Sequence, residues 1–206
     1  YMARATLPLR YEIKAVGATN TQGSVNCICG TAISEGGYEE MGVPFAVSSA
    51  RGTEISVNTV MLPILAVRLK SGFERCRVYL DGWEMMCSSN FVPLQYRIYH
   101  FLSPSVKPVT SAGGNGGEDD WTSQGTDDVL EHCNVPTALN TSGGYIKFSG
   151  FLTSRADVTG IQTSHTIHLS SDVDGTVDYV VLTMQRVIGT GATDCMGTMH
   201  FTGLQT

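Results

Sequence analysis

Residues 60–102, VMLPILAVRLKSGFERCRVYLDGWEMMCSSNFVPLQYRIYHFL, carry the strongest hydrophobic pattern in the chain and decide the class of fold. The first part, 61–70, is apolar on both faces until Arg68, which predicts a strand between two covered faces. Apolar and polar residues then alternate through 76–80 and again through 92–98, as in strands with one buried face. Because short Gly and Ser turns join these three strands, we expect them to lie side by side in one antiparallel sheet.

The alternation changes phase at Asp81-Gly82. Up to Leu80 the apolar residues of the alternation have even numbers, and from Trp83 onward they have odd numbers. Two interpretations fit this change. Asp-Gly is a favoured two-residue hairpin turn, but one extra residue in a continuous strand, a β-bulge, resets the facing in the same way. We favour the bulge because the Ser-Ser-Asn segment at 88–90 already supplies the next turn.

The rest of the chain also predicts strands. Strand-like segments lie at 9–16, 24–33, 44–47, 53–57, 145–153, 161–169, 176–188 and 195–204. A short helix is indicated only at 127–133. Nine to eleven strands with evenly spaced turn signals predict an all-β protein, an antiparallel β-sandwich and, more narrowly, a jelly roll with long irregular loops.

The length of 206 residues suits one β-sandwich domain covering 1–206. Residues 1–8 are expected to form an extended arm. The segment 103–126 is rich in Gly, Asn and acidic residues and predicts a long flexible loop, because such residues bury too little apolar area to offset their ordering entropy.

The charge and the length of the apolar runs argue against two classes of partner, nucleic acid and membrane. Only 16% of the residues are charged, against about 25% in typical soluble domains. The net charge of −6 and the two arginines in residues 2–10 argue against contact with nucleic acid, which needs clustered Lys and Arg. The longest nearly apolar run, 60–67, contains Pro63 and is too short for a membrane span of about 20 residues, so we expect no membrane contact.

Six cysteines have irregular spacing and stand at 27, 29, 76, 87, 133 and 195. At least the first three occupy positions of predicted strands whose side chains we expect to face the core. We therefore favour buried thiols over a disulfide framework, which agrees with assembly in a reducing cytoplasm.

No motif of catalysis or metal binding accompanies the chemistry-bearing residues. The five histidines, at 100, 132, 165, 168 and 200, have no Gly-x-Ser-x-Gly elbow beside a serine. The pairs Cys27/Cys29 and His165/His168 lack zinc spacing. The run Asp172-Val-Asp174-Gly175 lacks the further ligands of a calcium loop and is better explained as an Asp/Gly turn between strands. We expect no enzyme activity, no catalytic residue, no metal site and no cofactor.

Aromatic and acidic residues in loops remain as candidate contacts. A sugar-stacking platform could draw on Trp83, Trp121, Tyr38, Tyr99 and Tyr145, although core or interface packing explains most of them equally well. The residues that we nominate for interface or ligand contact are Trp121, Tyr145, Tyr38, Glu118, Asp119 and Asp120. A carbohydrate-binding β-sandwich module is therefore the alternative function.

Several runs carry a resemblance to a known group of proteins. These are LPILAVRLKSG at 62–72, ERCRVYL at 74–80, the Ser-Ser-Asn turn, VPLQYRIY at 92–99 and a loop with Trp121, joined later by GFL at 150–152 and VDYVVLTM at 177–184. The pattern resembles structural proteins of tailed bacteriophages and related aquatic viruses, and it covers about two thirds of the chain.

The resemblance implies a jelly-roll or β-sandwich component of a virion: capsid shell, cement, head fibre or tail. It implies assembly in the host cytoplasm into a trimer or higher symmetric assembly, with copies of itself and other virion proteins as partners. It carries over no catalytic residue. Shell proteins of this group that package a genome often have a basic arm. Since residues 2–10 do not form one, we expect this chain to occupy an outer or decorating position in the virion.

Overall fold

The computed structural model describes residues 43–49, 54–74, 76–87, 92–111, 121–123, 129–133, 136–152, 160–161, 167–172 and 174–204. In these ranges every regular element is a β-strand, which confirms the all-β class. The described residues belong to one compact unit, Met41–Thr206. The predicted arm and the first two strand segments lie outside them, so the single-domain prediction stays a prediction.

Two antiparallel sheets of six strands form the body of this unit. The first sheet has the order β1-β14-β4-β11, with β2 also paired to β14 and β12 to β4. Its strands are β1 (Val43–Ser48), β2 (Ile55–Val57), β4 (Arg77–Cys87), β11 (Gly160–Ile161), β12 (His168–Leu169) and β14 (Thr193–Leu204).

The second sheet has the order β10-β5-β13-β3-β8-β7. Its strands are β3 (Leu62–Leu69), β5 (Leu94–Phe101), β7 (Trp121–Thr122), β8 (Leu130–Cys133), β10 (Gly144–Leu152) and β13 (Tyr179–Arg186). A small third sheet pairs β6 (Val109–Ser111) with β9 (Pro136–Leu139).

The main core lies between the two large sheets, which confirms the β-sandwich. Inward side chains of both sheets, such as Leu80 and Phe201 from the first and Leu65 and Leu182 from the second, belong to one buried cluster. Apolar burial of this kind stabilises by about 25 cal/mol per Å².

A second buried cluster covers the outer face of the second sheet. It contains Ala66, Tyr99 and Val181 from that sheet together with Val109 from the small third sheet. Strand β3 is consequently buried on both faces, as its continuous apolar sequence predicted.

The expectation that the three strands of 60–102 lie side by side is wrong. Strand β4 belongs to the first sheet, whereas β3 and β5 belong to the second and are separated there by β13. A short connection can either form a hairpin within one sheet or cross to the facing sheet. The length of the turn alone therefore did not show whether β4 stays in the sheet of β3 and β5.

The predicted bulge at Asp81-Gly82 is confirmed. Strand β4 runs unbroken through both residues. His200 of β14 lies opposite Gly82 and Phe201 lies opposite Leu80, which leaves Asp81 as the extra residue. The Asp81 carboxylate accepts a hydrogen bond from the Thr202 hydroxyl at 2.5 Å, so the extra residue is tied to the neighbouring strand.

Other local expectations differ from the structure. The helix expected at 127–133 is wrong, because Leu130–Cys133 pairs with β3 as a strand. Within the expected loop 103–126, β6 and β7 are strands, and residues 112–120 and 124–126 lie outside the described ranges. The segment 161–169 contributes the two short strands β11 and β12.

The strand pairs are nested along the chain. Strands β1 and β2 pair with β14, β3 with β13, β4 with β11 and β12, and β5 with β10, all antiparallel. The chain therefore follows the path of one long hairpin whose successive pairs lie alternately in the first and second sheets, with β6 to β9 inserted near its tip.

Candidate functional site

Trp121 is a packing residue of the second sheet. Its ring is half-buried, lies under the Arg68 guanidinium at 4.3 Å and meets the Tyr179 ring edge-on at 5.7 Å. Arg68 is in turn held by Glu131 at 3.0 Å. Contacts on this scale stabilise the sheet edge and leave only part of the ring for a ligand.

Tyr145 lies at the other edge of the same sheet. Its side chain is 58% exposed, and the Lys147 ammonium stands 5.7 Å from the ring centre. Strand β10, which carries Tyr145, is five strand spacings from β7, which carries Trp121, or about 24 Å. The two aromatics therefore do not form one platform.

The other nominated aromatics divide between the core and the undescribed segments. Trp83 and Tyr99 are buried, and Trp83 packs on Phe148 with ring centres 4.7 Å apart. Tyr38, Glu118, Asp119 and Asp120 lie outside the described residues. Of the nominated contacts, Tyr145 is the exposed aromatic in the described chain.

Among the described residues, the closest approach to a catalytic constellation is a group around the buried Asp178. The Asp178 carboxylate accepts hydrogen bonds from the Ser103 amide (2.9 Å), from the Ser170 amide (3.1 Å) and from the Ser170 hydroxyl (2.7 Å). In a nucleophile triad an imidazole stands between serine and carboxylate. Here the serine bonds the carboxylate directly, so Asp178 ties the ends of β5 and β12 to the start of β13.

Two histidines lie beside this carboxylate. The rings of His100 and His168 are 6.2 Å apart, and His100 is buried. Burial lowers the pKa of His100 to about 4, with the Asp178 charge opposing this shift and the Lys147 and His168 charges adding to it. Burial also lowers the pKa of His168 from its ordinary value, assisted by Arg77. Both rings are suited to packing as neutral groups near pH 7.

The acidic run at 172–178 forms the turn predicted for it. The Thr176 amide donates to the Asp174 carboxylate at 2.8 Å, and the Gly175 amide donates to the Asp172 carbonyl at 3.0 Å. Gly175 has a φ of +86°, where a side chain would be strained. Within the described ranges no three His, Cys, Asp or Glu residues are placed to hold a metal ion.

A shallow depression of about 230 Å³ lies on the outer face of the first sheet, next to the end of β1. It is lined by Ser49, Glu84, Met86, Met196 and Thr198, among others. Among the described residues of the lining, Glu84 is the one carboxylate, and the nearby His200 imidazole approaches it at 3.4 Å on an exposed surface. This open, sparsely charged surface lacks the enclosed, convergent polar groups of a small-molecule site.

Among the residues that the structure describes, eight of the nine exposed large apolar side chains lie at the two ends of the second sheet. One group follows the carboxyl end of β5, where Tyr145 lies opposite His100 and Ile146 opposite Tyr99. We call it the Leu102 end; its members are Leu102, Val106, Tyr145 and Ile146, each at least 50% exposed.

The second group lies at the amino end of β5. Backbone hydrogen bonds from Arg186 to Asn58 (2.7 Å) and from Val187 to Pro93 (3.0 Å) bring three turns together there. We call it the Ile188 end; its members are Val60, Phe151, Val187 and Ile188, which are 45% to 66% exposed. The eight residues of β5 separate the two ends by about 24 Å.

Sequence reasoning missed these end groups. Only Tyr145 was among the nominated residues. The available signal was the apolar pair Val187-Ile188 directly before the Gly-rich turn GTGA, where a turn ordinarily carries polar residues.

Comparisons with protein-family models, with curated proteins and with solved structures gave no match to this chain. Among the residues that the structure describes, no helix is long and apolar enough to cross a membrane.

Proposed function

We propose that this chain is a non-enzymatic structural protein that assembles through subunit interfaces into a layer of a virion: capsid, capsid decoration, tail or fibre. The observation that carries the proposal is the pair of exposed apolar groups at opposite ends of the second sheet. Removing exposed apolar side chains from water is favourable, so a contact with another subunit that buries them would be stabilised. Two such groups on one chain permit each copy to contact two neighbours.

We also propose that the sandwich is a jelly roll. A jelly roll is a double sheet of eight strands in two Greek keys. The nested pairing of β1 and β2 with β14, β3 with β13, β4 with β11 and β12, and β5 with β10 supports this assignment. Viral capsid domains and lectin domains both use this architecture, so the fold by itself does not choose between assembly and sugar binding.

The position of the apolar groups favours a particular kind of assembly. Contacts between unlike ends of a molecule are heterologous and build rings or open filaments, whereas contacts between like ends close after two copies. Groups at opposite ends of one sheet suit the first kind, which repeats the same contact from copy to copy. The low charged fraction of 16% and the resemblance to virion structural proteins support the same proposal.

The proposal is tested by the concentration dependence of self-association, measured by sedimentation velocity. We expect the wild-type chain to form larger species as its concentration rises. Ile188→Asp should weaken association at least tenfold, because it places a charge in an apolar contact. The matched control is Thr190→Asp, which adds the same charge to an exposed residue of the same turn and should associate like the wild type.

Two results would contradict the proposal. One is a wild-type chain that remains monomeric at millimolar concentration and does not become part of a virus particle. The other is an equal effect of Ile188→Asp and Thr190→Asp, which would show that charge alone, and not the apolar group, changes association.

The carbohydrate-binding alternative now depends on Tyr145, the exposed aromatic with a lysine beside it. It predicts binding on a glycan array that Tyr145→Ala abolishes and Trp121→Ala preserves. Glycan binding without self-association would favour this alternative over the assembly proposal.

A further inference from the structure

Two cysteines that are distant in sequence face each other in the first sheet. Cys87 is the last residue of β4 and lies directly opposite Cys195 of β14. Their sulfur atoms are 3.8 Å apart, and both side chains are buried in the main core. The pair joins positions 108 residues apart along the chain.

The backbone at this pair is already placed for a disulfide. Residues directly opposite in an antiparallel ladder have Cα atoms about 4.5 to 5.5 Å apart. Disulfides span Cα separations of about 4.4 to 6.8 Å. Closing the gap from 3.8 Å to a bond therefore needs rotation of the two side chains and no change in strand register.

We propose that Cys87 and Cys195 are a redox pair, present as thiols in a reducing cytoplasm and joined as a cross-strand disulfide when the protein meets a small-molecule disulfide such as glutathione disulfide. The Cys87 thiol loses its proton to solvent, and the thiolate attacks the glutathione disulfide and releases one glutathione. The Cys195 thiol then gives up its proton as its sulfur attacks the Cys87 sulfur of the mixed disulfide, and the second glutathione leaves as a thiolate. Each released glutathione thiolate takes up one proton from solvent. Two protein thiols are oxidised, and one glutathione disulfide is reduced to two thiols.

The order of attack follows from the surroundings of each thiol. Cys195 is fully buried, its sulfur lies 3.5 Å from the Thr193 carbonyl, and its pKa is raised by its contact with Cys87 and by burial. Cys87 retains 5% exposure and stands at the end of its strand, where local opening costs least. Cys87 is therefore the first thiol to attack the glutathione disulfide, and the buried positions of both sulfurs make the reaction slow in the folded protein.

The other described cysteines have different neighbours. Cys133 of β8 lies opposite Ala66 on one side and Trp121 on the other, and Cys76 precedes β4. A Cys87–Cys195 bond would tie β4 to β14 and close a loop of more than one hundred residues, which restricts the unfolded chain and stabilises the fold.

The experiment incubates the purified full-length chain with glutathione disulfide, both in the folded state and during refolding from denaturant. Digestion without reductant and mass spectrometry then identify the linked peptides. We expect a peptide containing Cys87 joined to Cys195, two mass units below the sum of its reduced parts. The linked protein should melt several degrees higher than the reduced protein, and a thiol reductant should reverse this gain.

Variants keep the test specific. Cys87→Ser should abolish both the linked peptide and the rise in melting temperature, whereas Cys133→Ser, which removes another buried thiol, should retain both. If refolding in glutathione disulfide leaves Cys87 and Cys195 as thiols, or links either of them to a different cysteine, the inference is wrong. Its outcome is independent of whether the chain self-associates.

Discussion

At the residue scale, Gly197 of β14 lies close against the facing sheet. A Cβ atom at this position would lie 2.5 Å from Cδ2 of Leu182 in the facing sheet and 3.6 Å from Cγ2 of Ile64. Glycine in a strand is otherwise unfavourable, because it loses more backbone freedom on folding than other residues. Its presence in β14 is therefore explained by the space that Leu182 occupies.

This contact predicts the outcome of a double-mutant cycle. Gly197→Ala should lower the free energy of unfolding by about 1 to 3 kcal/mol, because the added methyl group overpacks the core. In a Leu182→Ala background the same change should cost little, because the obstructing Cδ2 atom is absent. Urea denaturation measures all four chains, and equal costs in both backgrounds would contradict the packing explanation.

The buried imidazole of His100 predicts a pH dependence. Its pKa is lowered to about 4 in the folded protein, mainly by burial, against about 6.5 for an ordinary histidine. Above pH 6.5 the ring is neutral in both states and its contribution to stability is complete. As the pH falls from 6.5 toward 4, the unfolded chain binds a proton that the folded chain excludes, and stability falls by up to about 3 kcal/mol.

Urea unfolding at several pH values between 7.5 and 4 checks this expectation. The His100→Phe variant should lose less stability over this range than the wild type. His168 contributes to the pH dependence of stability that remains in this variant, because its pKa is lowered in the same direction. Identical pH dependence in the His100 variant would contradict the assignment.

At the element scale, the bulge in β4 lets a strand with one extra residue keep its buried face. Val78 and Leu80 before Asp81 and Trp83 and Met85 after Gly82 all point into the core. In a strand without Asp81, Leu80 and Trp83 would face the core and Gly82 between them would face outward. All three would retain their observed partners in β14. The bulge is therefore the structural counterpart of the change of phase in the sequence.

Two single-residue deletions in β4 should consequently differ. Deletion of Asp81 should leave a folded protein that is about 1 to 2 kcal/mol less stable, because it removes the hydrogen bond to Thr202 but preserves the facing. Deletion of Glu84 should prevent cooperative folding, because it turns Met85 and Cys87 outward. Circular dichroism and urea denaturation distinguish these outcomes, and similar behaviour of the two deletions would contradict the bulge assignment.

At the scale of the whole molecule, the nested strand pairs bring apolar turns from distant parts of the chain to opposite ends of one sheet. If the proposed assembly uses unlike ends, Leu102→Asp and Ile188→Asp should each prevent extended assembly. An equal mixture of the two variants should form a one-to-one complex, because each retains the end that the other lacks.

Native mass spectrometry of the mixture measures this complex. Ser105→Asp, which adds a charge to an exposed polar residue near the Leu102 end, is the matched control and should assemble like the wild type. If each variant alone forms a dimer and mixing adds no complex, the contacts join like ends, and the heterologous arrangement is wrong.

The sequence by itself determined the all-β class, the doubly buried β3 and the change of phase at Asp81-Gly82, because alternation of apolar and polar residues reports local facing. The structure was needed to choose the bulge over the hairpin turn at that point. Only the tertiary structure decided that β4 leaves the sheet of β3 and β5, that 130–133 is a strand, that Cys87 meets Cys195, and that Trp121 and Tyr145 lie on opposite edges. The exposure of Val187 and Ile188 also required it. These features depend on which strands pair across long separations in the chain, and the hydrophobic pattern of a single strand is compatible with several partners.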